Sequence, residues 1–163
     1  MKPIFIIARK EIRDGFRNHW VFATIVLLAS FALVLTLVGS SPVGVIKASP
    51  LSVTVASLSS LGVYLLPLIA LMLSYNTLVG EFEHGTMVLL LTYPVSRWQV
   101  VIGKFAGHIS ILAVAIFIGY GLSGAGIALT GGADAEGWTA FASLIGSSIL
   151  LGAIFIALGY LIS

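Results

Sequence analysis

The residues able to do chemistry are few and scattered. Three histidines, His19, His84 and His108, fall in separate places, and the methionines are Met1, Met72 and Met87. The chain has no cysteine, which excludes disulfides and thiolate metal sites. A copper(I) ion, which prefers soft ligands, would find Met72 alone in the apolar spans. No metal site is assigned, and direct copper passage is not expected. His108 stands one turn after Lys104 and suits a hydrogen bond between helices better than a metal. Gly103-Lys104 has the ending of a phosphate loop, but the earlier glycine and the following Ser or Thr are missing. Gly121-Leu122-Ser123-Gly124 approaches a nucleophile elbow, yet position 125 is Ala and the stretch lies inside an apolar span. No catalytic residue is assigned, and the chain is read as non-catalytic. What remains is "GEFEHGTMVLLLTYPVSRWQVVIGK", residues 80–104, the one long stretch that mixes charge, turn residues and apolar residues.

The elements around that stretch must be membrane helices. Of 163 residues, 59% are hydrophobic and 9% charged, with mean hydropathy +1.13. A soluble domain carries roughly a quarter charged residues, so this chain lacks the polar surface to cover a globule in water. Nucleic acid is not an expected partner, because there are only eight Lys and Arg and most have another task. Four apolar stretches reach the ~20 residues a spanning helix needs. They run from Trp20 to Gly39, from Val55 to Val79, from Phe105 to Thr130, and from Trp138 to the chain end. Barrel strands would alternate apolar and polar over about ten residues, and "FATIVLLASFALVLTLV" does not. The expected fold is an all-α membrane protein with four transmembrane helices.

Lysine and arginine set the orientation. Lys2, Arg9, Lys10, Arg13 and Arg17 precede the first span, Arg97 and Lys104 lie between the second and third, and Lys47 is alone between the first and second. Seven of the eight positive charges thus fall on the side of the N-terminus. That side is read as cytoplasmic, with 40–54 and 131–137 outside. A cleaved signal peptide fits poorly, since the first apolar region is longer than the 7–15 residues such peptides use. The fourth span ends in "IALGYLIS" without anchoring charges, which predicts further spans beyond this chain.

Residues 1–19 predict an amphipathic interfacial helix. Phe5, Ala8, Ile12 and Phe16 share one face, and Arg9, Lys10, Arg13, Asp14 and Arg17 occupy the others. Residues 20–163 form the membrane domain. Within it, Glu81 and Glu83 would each cost roughly 2.5–3.5 kcal/mol at mid-membrane, so the second helix is expected to end near Gly80. His84-Gly85-Thr86 then offers a turn, with Thr86 capping a short helix over Met87–Leu91. Pro94 stops that helix and pushes Tyr93 toward extended geometry. Ser96 and Gln99 read as a capping box that starts the third helix at Arg97. Pro67 predicts a kink or hinge in the second span. Gly103 and Gly107 predict close helix packing, though one such motif says little about dimerisation.

The opening "ARKEIRDGFRNHW" and the stretch "LVGEFEHGTMVLLLTYPVSRWQVVIGKFAGH" resemble ABC-2 type transporter permeases. "VASLSSLGVYLLPLIALMLSYNTLVGE" resembles the subgroup associated with nitrous oxide reductase maturation. The resemblance covers nearly the whole chain. It implies six spans, of which this chain carries four, an N-terminal elbow helix, and a coupling helix between spans two and three. It places the elbow helix at Arg9, Lys10, Arg13 and Arg17. It places the ATPase contact at Glu81, Glu83, Gly85, Thr86, Thr92, Pro94, Ser96 and Arg97, within a coupling segment at 80–99. It implies a multi-pass protein of the inner (plasma) membrane that forms a homodimer. ATP-Mg would sit on a separate cytoplasmic ABC ATPase, with no cofactor in this chain. Subgroup members also work with a periplasmic β-helical protein in copper-site assembly of nitrous oxide reductase. An exporter of a lipid, drug or polysaccharide would use the same coupling helix, and a membrane anchor that moves no solute is the alternative of a different class. The lack of charge inside the spans favours the latter over an ion pathway.

Overall fold

The computed structural model describes residues 2–39, 50–83, 96–129 and 135–162. They form five helices: α1 (Lys2–Arg17), α2 (His19–Gly39), α3 (Pro50–Glu83), α4 (Arg97–Leu129) and α5 (Ala135–Ile162). No strand occurs among the described residues. Three helices hold windows long and apolar enough to cross a membrane, over Leu51–Tyr75, Trp98–Leu129 and Ala135–Ile162. A fourth candidate is α2 joined to α1, the pair being bent by 70°. The break falls at Asn18, whose N–H closes a turn on the Gly15 carbonyl and whose own carbonyl accepts the Phe22 N–H.

Two expected boundaries move. The second span was expected over Val55–Val79 with its helix ending near Gly80, whereas α3 begins at Pro50 and continues through Glu81 to Glu83. The physical reason is that carboxylates end the lipid-embedded part, not the helix. A helix satisfies its own backbone on either side of the interface, so it has no cause to stop there. At the other end, proline is suited to the first helical turn, where its missing N–H costs nothing. Residues 50–54 and 135–137 are helical rather than loop. Pro67 lies inside α3 without ending it. The short helix expected over Met87–Leu91 lies outside the described residues.

The bundle packs through small residues, as helices must in lipid, where apolar side chains gain little by leaving apolar solvent. On α5 the buried stripe is Gly137, Phe141, Leu144, Ser148, Gly152, Ile156 and Gly159, one helical face. It meets α3 at Ser74 and α4 at Leu112. Leu28 and Ala32 of α2, Leu58 and Leu66 of α3, and Ile116 and Tyr120 of α4 complete the core. Side-chain hydroxyls tie the helices at several heights: Thr36 of α2 bonds Ser123 of α4, and Ser74 of α3 donates to the Ile156 carbonyl of α5 at 3.2 Å.

Candidate functional site

The start of α4 is built by its own sequence. The Ser96 Oγ accepts the Gln99 N–H at 3.3 Å, and Gln99 Oε1 accepts the Ser96 N–H at 3.2 Å. This is the reciprocal capping box expected from Ser96-Arg97-Trp98-Gln99, and it meets two of the four donors a helix start leaves unpaired. Trp98 stands exposed on the first turn, while Lys104 and His108 are buried two and three turns on.

What buries them is α1. At Gly103 an added Cβ would lie 2.8 Å from the Ile7 Cβ and 3.1 Å from the Ile4 carbonyl oxygen. At Gly107 it would lie 2.6 Å from the Glu11 Cβ and 3.2 Å from the Ala8 carbonyl oxygen. The Gly103–Gly107 pair thus serves contact within one chain, letting α1 lie nearly backbone to backbone on α4. The face of α1 turned toward α4 runs through Ile4, Ile7, Glu11 and Gly15. This differs from the expected Phe5–Ala8–Ile12–Phe16 face: Phe5 is 72% and Phe16 46% exposed, with Ala8 and Ile12 between the two extremes. The cause is the glycine groove, which rewards close backbone approach over the largest apolar side chains.

Into this contact the chain places charge. Lys104 Nζ lies 3.5 Å from Glu11 Oε1, with the side chains 6% and 14% exposed. His108 Nδ1 lies 2.9 Å from the Lys104 carbonyl oxygen, one turn back, and 2.8 Å from the Tyr160 hydroxyl of α5. A ring carrying its proton on Nε2 accepts the Tyr160 O–H at Nδ1; a ring protonated on Nδ1 donates to the carbonyl instead. Tyr160 also meets Phe105 edge-on, with ring centroids 6.2 Å apart. The helix–helix role read for His108 is the one it plays here. Three helices, α1, α4 and α5, therefore converge on one polar cluster.

Of the residues singled out in the sequence, Arg9, Lys10, Arg13 and Arg17 are exposed on α1, away from α4. Lys10 sits 3.7 Å from Asp14, an exposed pair one turn apart worth a few tenths of a kcal/mol. Glu81 and Glu83 end α3, with side chains outside the described residues, as are Gly85, Thr86, Thr92 and Pro94 entirely. Arg97 is the first residue of α4. Among the described residues no three His, Asp or Glu come together as a metal site. Glu11 and Tyr160 were not singled out. The signal for Glu11 was present: it sits amid Ile4, Ile7, Ala8, Ile12 and Gly15 at helical spacing, an acid on a line of apolar and small residues.

A family model described as "ABC-2 family transporter protein" matches residues 5–163. A "Probable ABC transporter permease protein NosY" of Stutzerimonas stutzeri is 44% identical over 165 residues, covering 100% of this chain and 60% of the relative. A protein of the same name from Pseudomonas aeruginosa is 45% identical over the same length, again covering 100% of this chain and 60% of the relative. The chain thus spans less than two thirds of each relative's length.

Proposed function

The chain belongs to the ABC-2 family of transporter permeases, and on that premise we propose that it is a non-catalytic membrane subunit through which a separate cytoplasmic ATPase moves a helix bundle. The observation that carries this is the length of α3 and α4, 34 and 33 residues. At 1.5 Å per residue each is about 50 Å long, against a hydrocarbon core of about 30 Å. In α3 the carboxylates Glu81 and Glu83 stand in the last turn, where the cost of placing charge in hydrocarbon holds them at or beyond the interface. In α4 the capped first turns hold Gln99 and, farther on, Lys104. Both charged ends flank residues 84–95, on the side that holds seven of the eight Lys and Arg. By charge that side is cytoplasmic, which supports Glu81 to Arg97 as the surface the ATPase grips. The protein sits in the inner membrane with its N-terminus inside, ATP-Mg on the partner, and a second permease copy beside it.

The apolar spans lack a charged path. No Asp, Glu, Lys or Arg occurs within 20–39, 55–79, 105–130 or from 138 onward, and rings of charged side chains are one of the main ways a pore replaces an ion's water. That favours transmission of movement to an outside partner over passage of an ion. Following its resemblance to the nitrous oxide reductase subgroup, we assign that partner as a periplasmic β-helical protein in copper-site assembly.

The test is Glu81→Ala/Glu83→Ala in the full permease. Insertion should be unchanged and retention of the ATPase subunit weakened, by up to several kcal/mol if the carboxylates pair in a buried contact. Unchanged affinity removes these carboxylates from the contact.

A further inference from the structure

The cluster at the foot of α4 joins three helices, and its geometry favours the register in which Glu11 meets Lys104. Sliding α1 by one helical turn would move Glu11 by about 5.4 Å. That would break the Lys104–Glu11 pair in a place where the Lys104 side chain is 6% exposed. The glycine groove adds a second constraint, since bulk on either helix at Gly103 or Gly107 would collide with Ile7 or Glu11. A buried ion pair rarely improves on an apolar pair for stability alone, and its best-attested use is to fix register. One turn along, the ring of His108 takes up the Tyr160 hydroxyl, so the end of α5 is held at the same level. We propose that Glu11, Lys104, His108 and Tyr160 are positioning residues that bind α1, the start of α4 and the end of α5 into one body, so that displacement of the segment before Ser96 moves all three together.

The consequence for the drive rests on the reading of residues 80–97 as the ATPase contact; the joint itself does not. The cap at Ser96 makes α4 begin as a formed helix directly after that segment, so a push there enters α4 rather than unwinding its first turn. From α4 the push reaches α1 through the Lys104–Glu11 pair and α5 through His108 and Tyr160. The exposed basic residues of α1 would then shift against the lipid head groups whenever α4 tilts.

The experiment uses the full permease with its ATPase in lipid nanodiscs. The 163 residues contain no cysteine, so spin labels can be placed on this segment at will. Labels at Ile6 of α1 and Leu161 of α5, both exposed, report the joint. With labelled permease diluted in an excess of unlabelled copies, the distance within one protomer should be single, narrow and unchanged by trapped ATP in the unsubstituted protein. Glu11→Gln should broaden it by favouring the undocked state on the order of 10-fold or more, the loss of one hydrogen-bonded contact to a charged group, and Glu11→Lys/Lys104→Glu should narrow it again. Asp14→Asn, on the exposed pair of the same helix, should leave it narrow. Tyr160→Phe keeps the ion pair, so it should loosen the Ile6–Leu161 distance while a label pair at Ile6 and Leu122 stays narrow. A Glu11→Gln distance as narrow as that of the unsubstituted protein overturns the proposal, as does ATP-driven separation of the two labels with Glu11 and Lys104 intact. Retention of the ATPase subunit is scored separately, on the unsubstituted protein. Its absence would refute the reading of this chain as an ATPase-bound subunit, while the distances without ATP still decide the joint.

Discussion

Alanine at Gly103 and Gly107 should be tolerated far worse than alanine elsewhere on the same helix. Carbon atoms in contact rest about 3.5–4.0 Å apart. An added Cβ would instead sit 2.8 Å from Ile7 Cβ at position 103 and 2.6 Å from Glu11 Cβ at position 107. Both obstacles are the first carbon of a side chain, backed by the carbonyls of Ile4 and Ala8, so neither can rotate away. α1 must retreat by about 1 Å, and overpacking of this kind costs about 1–3 kcal/mol per site. The retreat also lengthens the 3.5 Å approach of Lys104 to Glu11. Against this stands the gain from replacing a helical glycine, about 0.5–1 kcal/mol. At Gly126, where nothing lies within 4 Å of the added carbon, only the gain remains. The assay is maleimide labelling of a cysteine placed at Ile7, read as a rate. Gly107→Ala should raise the rate roughly 5- to 150-fold, the range that 1–3 kcal/mol spans, and Gly126→Ala should leave it unchanged. Equal rates in all three proteins would refute the close packing of α1 on α4.

Two further outcomes follow from the same structure. Ser96→Ala removes a cap worth about 1 kcal/mol, so hydrogen exchange should quicken at the amides of the first turn of α4 and stay unchanged from Gly107 onward. A reporter fused after Gly132 should read as outside the cell, as the distribution of Lys and Arg requires, and a cytoplasmic signal there would invert the topology.

The spans were legible in the sequence because lipid imposes a single-residue criterion. Each apolar run had to be helical whatever it touched, so the helicity of 20–39 and of 105–130 as far as Leu129 needed no knowledge of neighbours. The capping box was legible for a related reason: Ser96 and Gln99 satisfy each other's backbone within one turn. Glu81 and Glu83 misled because an energy that limits membrane depth was read as one that limits a helix. The joint was not legible, because it depends on partners far apart in the chain. Nothing near Glu11 announces Lys104, and nothing near His108 announces Tyr160. The face of α1 was misread for the same reason, since the largest apolar residues, Phe5 and Phe16, are not those a glycine groove on another helix selects.

The separation between Glu11 and Lys104 also has a consequence in time. Lys104 is made about 90 residues after Glu11, which at roughly 5–20 residues per second is an interval of several seconds or more. Throughout it α1 has been synthesised and its glycine groove has not. An amphipathic helix in that state rests on the membrane surface, with the Glu11 carboxylate still hydrated. Docking therefore comes late, after two intervening apolar helices have entered the bilayer. It is the arrival of α4 that turns a surface-bound segment into part of the bundle, so a ribosome stalled before Gly103 would leave α1 accessible to a water-soluble probe, and one released after His108 would not.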